Sequence, residues 1–498
     1  MSTFARKFLL PVRQNLVWLT IFTFVGYLLL VVYMPLWRWF NHLPLPDIRT
    51  FAPSPATAVL YALWLCGMFL VYWLAFKAIR WGKQPLRPDF SLPAILITTS
   101  LFAILLVQTF PFNATDVYRY VIRGRIQSTY HESPFATPPN QFAADHFADF
   151  AGEWADATSP YGPVWELTAG LLTQLSRENF LAGLLLFKGI AAISFLINTV
   201  LIWLLLAQQK TAVRDAYTLL WAWNPALLLI FIADGHNDGL MIMWLLLGLL
   251  ISRRGHPTAG FLVMLLAPLT KPVGILALPF FFLAAIRLMP DWKTRGKFIL
   301  FITVGAVTLL AITFLPFGSP LDLVNRLLRE IGAVPGFSLA VMLMFIATLF
   351  GQPISQALVS TISAIATATA VIIGIWLLWR TWQGRSPLRS IADIFGVYIL
   401  QALSFRIWYA AWPLPWLLLD DVEGNGADPG QNGRFSYRLR VGLWFLLTSQ
   451  LSVLIYGHLR TFALSGDQIT AHLIAVPFTF GLPFLLALKQ PKTEENFP

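Results

Sequence analysis

Long apolar runs separated by short polar loops recur along this chain, the clearest at residues 15–34, 58–76, 92–112, 181–207, 297–316, 357–378, 441–456 and 469–488. Most come close to the about 20 residues that an α-helix needs to cross the hydrocarbon core. The pattern predicts an all-α polytopic membrane protein. The first run has no small-residue cleavage site and is too long for a signal peptide's apolar core, so it reads as a retained span.

Composition agrees. Hydrophobic residues make up 57% of the chain and charged residues 12%, which excludes an ordinary soluble domain. The net charge of +11 could point to nucleic acid, but its distribution does not. Lysines and arginines gather in short loops: Arg6, Lys7 and Arg13; Lys77, Arg80, Lys83 and Arg87; Lys210 and Arg214; Arg253 and Arg254. Further groups are Arg287, Lys293, Arg295 and Lys297; Arg380, Arg385 and Arg389; Arg434, Arg438 and Arg440; Lys489 and Lys492. Short basic loops mark the cytoplasmic side of a multispanning protein, so a nucleic-acid partner is not expected. The single cysteine, Cys66, lies inside an apolar run and leaves no intrachain disulfide.

Placing every basic cluster inside dictates the topology. Residues 164–175 are then a helix lying at or dipping into the outer face, and residues 257–288 cross twice as two short helices meeting outside near Lys271-Pro272. Proline suits such a break, since it lacks a donor and restricts the residue before it. Residues 339–350 read as re-entrant. The sum is about 14 spans, within a range of about 11–15, in a multi-pass plasma-membrane protein with both termini cytoplasmic. Residues 1–420 form the main transmembrane module, including a large outer loop at 113–180. Residues 421–436 are a flexible cytoplasmic linker, and 437–498 hold terminal spans and a short tail. In the outer loop, the acids and aromatics of 140–156 suit an amphipathic helix resting on the membrane surface.

This topology, drawn from loop charge alone, puts three polar knots on the outer face. Ionisable groups at membrane depth are costly unless they meet a partner or water, which makes them functional candidates. The first is Asp116-Val117-Tyr118-Arg119-Tyr120, where Asp116 can serve as a general base or as a helix N-cap. Arg119 and Arg123 share a helix face and offer forks for phosphate, or form a solvated face. The second is Asp234-Gly235-His236-Asn237-Asp238, which reads as hydrogen-bonding groups for a polyhydroxylated ligand, or as a polar turn. A metal there lacks identifiable further ligands. The third is Lys271, a phosphate contact or a snorkelling cation. Lys188, near a span end, is assigned to snorkelling. Arg406 adds another outer cation, with Trp408, Tyr409, Trp412 and Trp416 forming either an interfacial belt or a sugar-stacking wall. No P-loop, HExxH, GxSxG or CxxC pattern is present.

Four stretches resemble the GT-C glycosyltransferases, most of all bacterial polyprenol-phosphate-mannose-dependent mannosyltransferases. They are Asp116 to Tyr120; Ser159-Pro160-Tyr161-Gly162-Pro163; Trp223-Asn224-Pro225 leading to Gly235-His236-Asn237-Asp238; and Arg406-Ile407-Trp408-Tyr409. The resemblance implies a GT-C-like bundle with interfacial helices in the first outer loop. It implies an enzyme that moves a hexose, mannose first among the candidates, from a polyprenyl-phosphate donor to an extracytoplasmic glycan or glycolipid hydroxyl. Asp116 would be the base of a single inverting displacement, which needs no second carboxylate because the leaving phosphate is already a stable anion. Lys271, Arg406 and Arg119 would contact the donor phosphate. Tyr118, Tyr120, Tyr161, His236, Asn237, Asp238, Trp408 and Tyr409 would hold sugar or acceptor. Some members of the superfamily use a divalent metal with paired acids, and no clear second acid pairs with Asp116 in the first loop, so no metal or other cofactor is expected beyond the lipid-linked donor. The competing readings are a lipid or sugar transporter or flippase, with broken helices as its hallmark, and a ligase moving a whole glycan.

Overall fold

A computed structural model describes residues 12–81, 88–330, 336–424 and 435–488. The expected cytoplasmic termini, the centre of the 421–436 linker and the basic residues Arg6, Lys7, Lys83, Arg87, Arg434, Lys489 and Lys492 lie outside the described residues.

Among the described residues the regular structure is helical, with no strand beyond the isolated bridge Pro35–Thr109, and the protein is a polytopic membrane protein. Seven helices among the described residues are long and apolar enough to cross a membrane: Leu16–Tyr33, Pro55–Trp81, Phe180–Leu205, Trp292–Phe314, Gln356–Trp382, Tyr437–Phe462 and Gln468–Leu488. An eighth candidate is a pair bent by 45°, Thr211–Ala222 with Pro225–Ala233. Asn224 makes that bend by capping the second piece, accepting from the Ala226 and Leu227 amides. Four shorter apolar helices, Ser91–Val107, Pro257–Thr270, Pro272–Leu288 and Leu339–Leu349, complete the set. These long helices are fewer than the about 14 crossings expected from loop charge, a number that included short crossings such as the two at 257–288.

Large apolar side chains such as Phe22, Leu29 and Val32 stay exposed on the first span. In a soluble protein that would be costly, whereas here hydrocarbon is the solvent, and packing rather than water exclusion joins the helices. The interior is aromatic: Phe195 stacks on Trp221 at 5.4 Å, and Phe231 lies 5.9 Å from each ring.

Three elements position the site. The helix Asp116–Ser128 packs against Pro163–Ser176 and against the span Phe180–Leu205. The helix Asp238–Arg253 packs against Phe180–Leu205 and Pro257–Met264. Between Leu266–Thr270 and the 3-10 turn Pro272–Ala277, Lys271 is extended (φ −143°, ψ 118°), so the chain does break at the lysine-proline step.

Residues 140–156 correct the expectation of one amphipathic helix. They form two 3-10 turns, Pro139–Phe142 and Ala148–Trp154, the second kinked at Gly152 with φ 56°. Asp145 interrupts the helix by accepting from the Phe147 amide, and it also pairs with Arg125 at 2.8 Å. Phe147 and Phe150 then pack on Phe180, each at 4.6 Å, so the apolar face turns into the protein.

Candidate active site

Asp116 is the first residue of its helix, and Thr115 occupies the N-cap without a side-chain bond. Freed from capping, the Asp116 carboxylate pairs with Arg119 at 3.1 Å and accepts from the Tyr161 hydroxyl at 3.2 Å. Its Oδ2 has no hydrogen-bond partner and lies 4.0 Å from His236 Nε2. The carboxylate is 3% exposed. Burial pushes its pKa up, but the positive charge of Arg119, with Lys271 and Arg406 behind it, outweighs burial and holds it at about 2.

His236 sits between two carboxylates, its Nδ1 3.8 Å from Asp238 Oδ2. Burial lowers its pKa to about 4, which keeps the imidazole neutral. Neither ring nitrogen is hydrogen-bonded within the chain, while the ring lies against Trp408 with centroids 4.1 Å apart. Asp238 is fully buried and accepts from Lys271 Nζ at 2.8 Å and from Trp412 Nε1. Lys271 also reaches Asn237 Oδ1 at 3.5 Å and stands over the Tyr161 ring at 5.7 Å. Tyr409 stacks on Trp412 at 4.2 Å.

Tyr161 reaches this cluster because its loop is fused to the broken helix. The Gly162 amide donates to the Thr270 carbonyl at 3.0 Å, and a Cβ on Gly162 would stand 2.1 Å from the Leu269 carbonyl oxygen. Only glycine permits that approach.

The structure therefore brings together Asp116, Arg119, Tyr161, His236, Asn237, Asp238, Lys271, Trp408 and Tyr409 from five remote stretches. Tyr120, four residues after Asp116 on the same helix face, is buried against Tyr161 at 5.3 Å. Arg406 is exposed at the start of the 3-10 turn Ile407–Ala411, near enough for its charge to act on Asp116.

Three residues go elsewhere. Tyr118, two positions after Asp116, faces the opposite side of the helix, where its hydroxyl donates to the Phe40 carbonyl at 3.0 Å and its ring packs on Phe150 and Phe180. Lys188 does not snorkel: it is fully buried and donates to the Thr109 carbonyl. Asp234 turns to the Asn113 amide, 3.3 Å away.

Sequence reasoning missed Glu166. It is 1% exposed, and Ser159 donates to it at 2.5 Å, anchoring the segment that carries Tyr161. A lone acid in the otherwise uncharged helix Pro163–Ser176 was the available signal. Among the described residues, no group of three or more His, Cys, Asp or Glu side chains is arranged to hold a metal.

A many-helix membrane body in which a carboxylate, cations and aromatic rings from remote stretches converge on one site suits a polytopic glycosyltransferase. A family model described as alpha-(1->6)-mannopyranosyltransferase, N-terminal domain, matches residues 19–287, and the chain belongs to this family of membrane mannosyltransferases. It is 22% identical over 366 residues to alpha-(1->6)-mannopyranosyltransferase A of Mycobacterium tuberculosis, an alignment covering 70% of this chain and 68% of that one. It is 24% identical over 194 residues to alpha-(1->6)-mannopyranosyltransferase A of Corynebacterium glutamicum, covering 37% and 38%. It is 27% identical over 154 residues to alpha-(1->6)-mannopyranosyltransferase B of the same organism, covering 30% and 25%.

Proposed function

We propose that this enzyme transfers mannose from a polyprenyl-phosphate donor to a hydroxyl of an extracytoplasmic glycan or glycolipid, forming an α-1,6 bond by one inverting displacement. The observation that carries the reading is the meeting of the Asp116 carboxylate with Arg119, His236 and Lys271 in one buried cluster. The basic loops support an active site facing away from the cytoplasm.

In this mechanism the acceptor hydroxyl approaches the open Oδ2 of Asp116, which takes its proton as the oxygen attacks the anomeric carbon and the bond to phosphate breaks. Arg119, Lys271 and Arg406 stabilise the charge that grows on the departing phosphate. The same cations depress the pKa of Asp116. A phosphate that engages them screens their charge from the carboxylate and raises its basicity, so donor binding prepares the base. His236 and Asn237 orient sugar hydroxyls, and Asp238 positions Lys271. The aromatic wall of Trp408 and Tyr409 takes the apolar face of the sugar.

The test is Asp116→Asn with polyprenyl-phosphate mannose and an acceptor supplied in vitro. Turnover should fall by about 10²–10⁴-fold with the protein still folded. A rate within a few-fold of the parent would remove Asp116 from the role.

A further inference from the structure

Beside the segment that carries Tyr161 lies a cavity of about 650 Å³ lined by Phe135, Ala136, Asp322, Asn325 and Leu328. It is built by the helix Pro320–Glu330 and the loop around Phe135. Both walls are tied to the catalytic loop. The Ser159 amide donates to the Pro134 carbonyl at 2.8 Å, and Arg326 Nε donates to the Thr158 carbonyl at 3.1 Å. Two residues later Tyr161 bonds to Asp116. A second cavity of about 270 Å³, with Gln127, His131 and Gln174 in its lining, lies on the other side of Leu167. Leu167 itself packs against the cluster containing Phe135 and Leu323.

We infer that the larger cavity is a binding site for the acceptor glycan, holding sugar units remote from the reacting hydroxyl. The inference rests on the proposed transferase reading and adds the place and chemistry of its second substrate. The described lining offers a carboxylate, a carboxamide and an apolar floor, with no lysine or arginine. That set suits an uncharged polyhydroxylated chain, since a carboxylate and an amide accept and donate to hydroxyls while an apolar floor takes a sugar's C–H face. It is unsuited to the donor, whose phosphate the Asp322 carboxylate would repel. The volume falls in the range of about 300–1,000 Å³ common for ligand clefts. Position and charge together separate it from the buried cluster of Asp116 and Lys271.

The test uses the full-length enzyme in lipid nanodiscs, polyprenyl-phosphate mannose as donor, and α-1,6-linked mannose oligosaccharides of increasing length as acceptors. For Asp322→Ala combined with Asn325→Ala, the acceptor KM should rise at least tenfold for the longer oligosaccharides. It should change little for the disaccharide, with donor KM and kcat within twofold of the parent. An equal rise at every length, a rise in donor KM, or an unaltered acceptor KM would overturn the inference. Calorimetric titration of the long oligosaccharide in the absence of donor gives an independent readout. Weaker binding in the double variant supports the site even if no transfer occurs with the parent enzyme, an outcome that would refute the transferase reading alone. Equal binding by parent and variant overturns the site whatever the transfer assay shows.

Discussion

Replacing Lys271 by methionine separates two roles of one side chain. Lys271 is the cation beside the fully buried Asp238, at 2.8 Å, and the other donor to that carboxylate is the neutral Trp412 indole. Removing one partner of a buried ion pair leaves an uncompensated charge, at a cost of about 3–5 kcal/mol. Lys271→Met should therefore lower thermal stability clearly and also reduce turnover, by about 10²-fold or more if its charge supports the departing phosphate. The double variant, Lys271→Met with Asp238→Asn, removes both charges, and the Trp412 bond can remain. Its stability should return to within about 1 kcal/mol of the parent, while its turnover stays low. Thermal unfolding in one fixed detergent, paired with mannosyl transfer, measures both. A single variant as stable as the parent would refute the electrostatic account of the pair. A double variant with restored turnover would show that Lys271 serves only to neutralise Asp238.

Two further outcomes follow from the same geometry. Gly162→Ala places a methyl 2.1 Å from the Leu269 carbonyl oxygen, where backbone must give way. The Tyr161 segment shifts, and kcat should fall by about 10–100-fold from misplacement; unchanged kcat and unfolding temperature would contradict that. Arg119→Gln removes the nearest cation from Asp116. Burial then weighs more, the carboxylate's pKa rises from about 2 toward or past the ordinary value of 3.8, and protonation sets in at higher pH. The acid limb of kcat/KM should move upward against a parent profile that stays flat through mildly acidic pH, and superimposable profiles would argue against Asp116 as base.

Much of this was readable from the sequence because membrane chemistry is strict. An acid or lysine within an apolar run demands a partner, and this demand picked out Asp116, His236 to Asp238 and Lys271 before their distances were known. Partners themselves were less readable. Asp238 meets Trp412 across 174 residues, and Lys188 meets a backbone carbonyl across 79, contacts that local pattern does not encode. Tyr118 was grouped with Tyr120 by proximity in sequence, although the 3.6-residue period puts only Tyr120 on the face of Asp116. The segment 140–156 misled for a related reason. Its apolar spacing suits a helix, yet Asp145 and Gly152 break it, and its phenylalanines turn inward to Phe180. Loop charge did make legible the two short helices on either side of Lys271-Pro272 and the short helix Leu339–Leu349, because basic clusters at both ends of an apolar run demand an even number of crossings.

The helix Gln356–Trp382 has no fully buried residue in its apolar window, although Leu358, Val359 and Ile362 pack partly against neighbouring side chains. Only near its far end do Leu377 and Thr381 become enclosed. Surrounding acyl chains therefore supply a large share of that helix's non-covalent environment, beside its contacts with Leu278–Leu288, Leu339–Leu349 and Pro387–Gln401. Purification in short-chain amphiphiles would perturb this element first, while the buried catalytic cluster, enclosed by its own aromatic walls, would keep its geometry.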